Sequence, residues 1–214
     1  MTLLTTENMM DLLKELWSDD KCVIKRAMKE IANLGYEDHD ENEVKMRELG
    51  LHSAVFQLIQ KHVSCLEILV QGIRALGNFS HNISTKKFLG DVGYVEVILA
   101  RIEKDPDSEI IQLMGCLSIT NLTHRMKDNA ERVQKAGGIA LVIAAMKAHP
   151  NSGRLQRRGC QALSNMSEWE EYRPLIVEAG GASAIAAIME RYRNHPELHE
   201  LAYNAMERLV KKPR

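Results

Sequence analysis

Five stretches of this chain align on a single column: VIKRAMKEIANLG, LVQGIRALGNFS, LMGCLSITNLT, QRRGCQALSNMS and LAYNAMERLV. The alignment places Asn33, Asn78, Asn121, Asn165 and Arg208 in register, at intervals of 45, 43, 44 and 43 residues. A repeat of this length is too long for a leucine-rich unit or a coiled-coil heptad and marks a helical solenoid, in which each unit buries its apolar face only by stacking on its neighbours.

The register extends on both sides of that column. Five residues before it stand Met28, Ile73, Cys116, Cys160 and Tyr203; two before it, Ile31, Leu76, Ile119, Leu163 and Met206; one after it, Leu34, Phe79, Leu122, Met166 and Leu209. Apolar residues three apart share one side of a helix, so these columns predict a buried stripe. Six before the ladder position the residues are Ala27, Gly72, Gly115, Gly159 and Ala202. Glycine within a helix costs about 1 kcal/mol relative to alanine, and its recurrence at one position predicts a neighbouring helix too close for a side chain. Three before the ladder stand Ala75, Ser118, Ala162 and Ala205, but Glu30 breaks that small column, so the first unit is expected to pack differently there.

Ahead of each such helix lies a second signature: DVGYVEVIL, KAGGIALVIAAM, EAGGASAIAAIM and, more weakly, LGLHSAVFQLI. Gly93, Gly138 and Gly181 stand 45 and 43 residues apart, with Gly50 43 before the first. These glycines are expected to supply the left-handed residue that ends one helix before the next. Pro106, Pro150 and Pro196 fall where the second helix gives way to a long third one.

The AGG and VGY turns, the G-C-x-x-x-x-N and G-x-x-x-L-x-N segments and the three-helix unit together resemble the armadillo repeat family, from about Cys22 to Val210. The glycine turn and the third-helix asparagine separate this pattern from HEAT repeats. The resemblance implies an all-α, right-handed superhelical solenoid of about five repeats, the first incomplete. One domain over 1–214 is expected, in units near 1–35, 36–81, 82–124, 125–168 and 169–214.

In that family the third helices line a concave groove, and the ladder asparagine hydrogen-bonds the backbone of an extended peptide. An amide is suited to this because it donates and accepts in any sequence context. The same asparagine can instead bond neighbouring helix backbones and be purely structural, and the sequence leaves both roles open. Positions seven and four before the ladder share its face. They read Arg26 and Lys29 with Asn33, Gln71 and Arg74 with Asn78, Met114 and Leu117 with Asn121, Arg158 and Gln161 with Asn165, and Leu201 and Asn204 with Arg208. Nuclear-import adaptors of this family carry tryptophan four before the asparagine, where this chain has Lys29, Arg74, Leu117, Gln161 and Asn204. Such a surface is expected to hold carboxylates or phosphates rather than a basic import signal, with a nuclear-transport-type adaptor of non-classical groove as an alternative.

Other functions find less support. Formal net charge is −1, which gives no pull toward nucleic acid or anionic membrane, although residues 1–50 hold 7 Lys+Arg against 12 Asp+Glu. Much of that acidity lies in Tyr36 to Glu43, expected to form a solvated loop. No P-loop, G-x-S-x-G elbow or dinucleotide fingerprint is present, and no cofactor or metal is expected. His195 and His199 have no convincing ligand partners, and His81 and His124 are expected on the groove rim. Cys116 and Cys160 share a core column as small buried thiols; an enzyme built on cysteine and histidine is the weaker alternative to a non-catalytic scaffold. With no basic leader and no apolar span, a cytoplasmic or nuclear location is expected. Apolar Met9, Met10, Leu13, Leu16 and Trp17 need a cover. The ends fit a small complete protein, a piece of a longer one, or copies that associate end to end.

Overall fold

A computed structural model describes residues 5–37, 39–62, 64–80 and 82–211, with the backbone alone for 35–37 and 39–43. Every regular element among the described residues is an α-helix. They form two compact units, 1–85 and 86–214.

The first unit opens with α1 (Thr6–Leu16) and α2 (Lys21–Glu37), an incomplete repeat. The triplet α3 (His39–Glu48), α4 (Leu51–Lys61) and α5 (Leu66–Phe79) follows. Met9, Leu12 and Leu16 of α1 are buried, whereas Met10 and Trp17 remain about half exposed. The acidic stretch expected as a loop is helical on both sides of Asp38, ending α2 and forming the first half of α3. Glutamate is a good helix former, and Lys45 and Arg47 that follow favour the last turn of α3, which outweighs the local charge density.

The second unit contains three triplets. The first is α6 (Ile83–Asp91, which begins just before the boundary), α7 (Tyr94–Lys104) and α8 (Glu109–Thr123). Then come α9 (Lys127–Lys135), α10 (Gly138–Ala148) and α11 (Gly153–Met166), and last α12 (Tyr172–Glu178), α13 (Gly181–Arg191) and α14 (Pro196–Val210). These are the short, second and long third helices that the sequence predicts, and Pro196 takes the first helical position of α14.

The left-handed turn residues are Gly50, Gly93, Gly137 and Gly180. Two of the four expected positions are thus corrected by one residue: in the AGG turns the first glycine carries the positive φ. The second does something else. A Cβ on Gly138 would lie 2.6 Å from Val133 Cγ1, and one on Gly181 2.4 Å from Ile176 Cγ2. One glycine turns the chain and the next lets the second helix start hard against the first.

The glycines of the third helices behave as predicted. A Cβ on Gly72 would meet Ile59 Cγ1 at 2.6 Å, one on Gly115 Ile102 Cγ1 at 2.3 Å, and one on Gly159 Met146 Cγ at 2.5 Å. Each glycine therefore sets how closely the second and third helices of its own repeat approach. Glu30 is exposed at the small column, where Ala75, Ser118, Ala162 and Ala205 are buried. The column of Met28, Ile73, Cys116 and Cys160 is buried as expected, but Tyr203 is 49% exposed. Farther along the same stripe Leu209 stays buried, and Val210, 65% exposed, lies one residue past it.

His52 is an anomaly in this core. It stands two residues after a turn glycine, where the next two repeats place buried Val95 and Ile139, and it is 1% exposed with both ring nitrogens lacking a hydrogen-bond partner of good geometry. Burial, aided by Arg47, pushes its imidazole down to about 4.

Two outcomes are expected. Gly115→Ala should destabilise more than Gly159→Ala in urea melts, because β-branched Ile102 is held close to its helix while Met146 can swing aside; equal effects would contradict the close-packing account. A folded-state histidine lowered from 6.5 to about 4 contributes stability that is full above about pH 6.5 and is lost as pH falls toward 4, by roughly 3 kcal/mol in all. His52→Val should therefore flatten the loss of stability between pH 6.5 and 4, and an unchanged pH profile would refute this.

Candidate peptide-binding face of the third helices

The ladder side chains do the same job in both units. In the first unit the Asn78 amide donates to the Ala32 carbonyl at 2.7 Å, tying α5 to α2. In the second, Asn165 donates to the Thr120 carbonyl at 2.9 Å and ties α11 to α8. Arg208 repeats this from α14, its Nη1 lying 3.4 Å from the Ser164 carbonyl and 3.0 Å from Glu168 Oε1. In all three cases the acceptor is the residue just before the ladder position of the preceding third helix. Arginine keeps the donor of asparagine and loses the acceptor, so the last repeat retains the tie but offers no amide oxygen. Asn33 is exposed and Asn121 half-buried.

A side-chain amide carries two N–H donors and an oxygen, and one donor satisfies the helix carbonyl. Half-buried Asn78 and Asn165 thus serve the structural role that the sequence left open, with hydrogen-bonding capacity left over on the same group.

The positions around the ladder carry most of the charge. Lys29 is exposed on α2. Arg74 is half-buried and its Nη1 donates to Gln71 Oε1 at 2.9 Å. On α11 the order is reversed: Arg158 Nη1 donates to Gln161 Oε1 at 3.0 Å. The glutamine braces the guanidinium in each case, and among the described residues neither arginine is in an ion pair. Arg158 is held below the ordinary arginine range by burial first, then by the charges of Arg157 and Arg154. Leu117 is half-buried beside buried Met114, and Asn204 is exposed on α14.

Several supporting residues escaped the sequence reading. Gln112 and Gln156, 44 apart and almost fully buried, each tie their third helix to the end of the second: Gln112 Nε2 donates to the Ile102 and Asp105 carbonyls, both at 2.8 Å, and Gln156 to Met146 and His149 at 2.7 and 2.9 Å. The signal was a glutamine recurring in register nine before the ladder, where the first two repeats have Ile24 and Leu69. Lys86 and Arg173, each seven before a turn glycine, act as cationic clamps on helix C-termini. Lys86 Nζ reaches the His124 carbonyl at 3.0 Å at the end of α8, and Arg173 Nη1 the Lys211 carbonyl at 3.1 Å at the end of α14. Burial, more than nearby Arg125, lowers the Lys86 ammonium. His124 is exposed at the end of α8, while His81 lies outside the described residues.

Other features give little chemistry. Cys116 and Cys160 are completely buried and burial pushes both thiols up to about 12, so neither is a ready nucleophile. Among the described residues no cluster of histidine, cysteine or carboxylates could hold a metal ion. No described helix is long and apolar enough to cross a membrane. A depression of about 830 Å³ lies away from the ladder, against α10 and α13, with Met146, Ala184 and Ile188 in its floor and Lys147 and Arg191 at its rim; it has no acid–base or nucleophilic pair, and volume alone makes no site.

No family model matches the sequence, and no curated protein is significantly similar to it. Solved structures do match. A designed armadillo repeat protein superposes with a TM-score of 0.80 at 21% identity, over 95% of this chain and 82% of its own. A second one, described as in complex with the peptide (KR)4, gives 0.79 at 21% identity over 95% and 82%. An engineered protein gives 0.82 at 21% identity over 96% of this chain, which spans only 48% of that one. The fold is therefore an armadillo-like, all-α solenoid.

Asn165→Ala should lower stability by about 0.5–1.5 kcal/mol through loss of the tie to Thr120, measured by chemical denaturation. A fully neutral substitution would mean that the ladder bond carries no structural weight.

Proposed function

We propose that this chain is a non-catalytic scaffold whose third helices, in each of its two units, hold an extended, acidic protein segment. The observation that carries the reading is made once in each unit: Arg74 in the first and Arg158 in the second are each half-buried, braced by a glutamine of the same helix, and without a carboxylate partner among the described residues. A guanidinium held at a partly dry surface beside other cations is stabilised by an incoming anion, and its planar fork fits a carboxylate in two hydrogen bonds. The ladder amides of Asn78, Asn121 and Asn165 would meet the backbone of that segment, with Lys29, Asn33, Leu117, Gln161, Asn204 and Arg208 completing the face. The designed protein of similar fold that is described with a (KR)4 peptide supports an extended segment as the class of ligand. Its peptide is cationic, whereas the positions four before the ladder here include Lys29 and Arg74, which favours the opposite charge.

An array of 12-residue segments of graded charge, followed by fluorescence anisotropy on the tightest binders, tests this. Acidic segments should bind above basic and scrambled ones. Arg74→Glu and Arg158→Glu should each weaken them about tenfold or more, with a shallower salt dependence and unchanged melting temperature. Binding that is indifferent to both substitutions would overturn the proposal.

A further inference from the structure

The third-helix stripes are not equivalent, and α11 stands apart. One line of its residues runs Arg154, Arg158, Gln161, Asn165, each about one turn from the next, with Arg154 exposed and the other three half-buried. The corresponding line on α5 is Glu67, Gln71, Arg74, Asn78, and on α14 Glu197, Leu201, Asn204, Arg208. Only α11 places two arginines in consecutive turns with no carboxylate in the line. The third arginine of the cluster, Arg157, is engaged across the repeat by Glu197 at 2.5 Å. Glu109, the other carboxylate near this end of α11, accepts from Ser152 Oγ at 2.6 Å. Arg154 and Arg158 enter no ion pair among the described residues.

We infer that Arg154 and Arg158 form a subsite for a doubly charged anion, the phosphate of a phosphorylated side chain on the bound segment. The inference rests on the peptide-binding reading above and narrows it to one chemistry. Two guanidiniums a turn apart can converge on a single tetrahedral group, and a phosphate offers three acceptor oxygens and a charge of about −1.5 to −2. A carboxylate brings a single charge and two oxygens, so it can be fully bidentate to only one of the two forks while a phosphate has an oxygen to spare for the second. Burial and the flanking Arg157 and Arg154 charges already disfavour a bare Arg158 cation, so the second negative charge is met rather than wasted.

The neighbouring stripe completes the motif. On α8 the same line reads Ile110, Met114, Leu117, Asn121, with Ile110 and Leu117 half-buried. It lies directly beside α11, since Thr120 Oγ1 donates to the Arg158 carbonyl at 3.0 Å. Packed helices are about 8–10 Å apart and an extended chain advances about 3.3–3.6 Å per residue. The segment that fits carries an apolar residue about two or three positions from its phosphorylated one.

The test uses the full chain and arrayed 12-residue segments centred on phosphoserine, glutamate or serine, with leucine placed one to five positions to either side. The phosphoserine series should bind about tenfold or more above its glutamate counterpart, with the best leucine two or three positions away. Arg154→Ala and Arg158→Lys should each collapse that preference toward unity, the latter because lysine keeps the charge and loses the fork; Arg74→Ala should weaken all segments alike and leave the ratio intact. Equal binding of phosphoserine and glutamate segments, with Arg74 and Arg158 still required, would overturn this inference and leave the acidic-segment reading standing. Absence of binding to every acidic segment would sink both.

Discussion

The hydrogen bond that Asn78, Asn165 and Arg208 each donate to the carbonyl one residue before the ladder of the preceding third helix is the contact on which this structure turns. Asn78 to Ala32, Asn165 to Thr120 and Arg208 to Ser164 are the same bond made three times. It fixes the register of successive third helices along their length, which dispersion between aliphatic side chains would not do, since apolar contact has no direction. It also explains why a polar residue recurs beside an apolar stripe. A backbone carbonyl at that half-dry seam needs little persuasion to take a second donor, and an amide supplies one while keeping polar atoms on the surface.

From that register the rest follows. Glycines at 72, 115 and 159 bring the second helix against the third, and the second-helix carbonyl ends are then close enough for Gln112 and Gln156 to reach. Lys86 and Arg173 close the third helices from their C-terminal ends. All of these bonds are internal, so they organise the third-helix face without occupying it. Among the described residues, Lys29, Arg74, Arg154 and Arg158 are cations of the third helices that enter no ion pair. The charge of the whole chain, near zero, conceals this, because acidic residues elsewhere balance it, 12 of the 29 within the first 50 residues and others in exposed surface pairs such as Asp91 with Lys87 and Arg132.

Much of this was legible in the sequence because a solenoid writes its core as columns. The period, the helical triplets, the close-packing glycines and the misfit of Glu30 could all be read from register. What could not be read depends on geometry between columns. Gly137 and Gly138 are indistinguishable as letters, and only the backbone shows that the first takes the positive φ while the second abuts Val133. Tyr203 sits in a core column yet is half exposed, because a column is buried only where another helix covers it. The acidic run at Tyr36 to Glu43 suggested a loop by its charge and is helical by its place in the repeat. Of the two roles the sequence left open for the ladder amide, the tie to a helix carbonyl could be seen only in the structure, since a bond to a backbone carbonyl leaves no trace in the identity of its partner.

Side-chain NMR of the amide and guanidinium groups during titration with an array-selected acidic segment tests the central claim most directly. The account predicts shifts at Asn121, Asn165, Arg74 and Arg158, with the buried amides of Gln112 and Gln156 unmoved as internal controls. Shifts confined to Lys147 and Arg191 beside the α10 and α13 depression, with the ladder and its arginines unchanged, would contradict it.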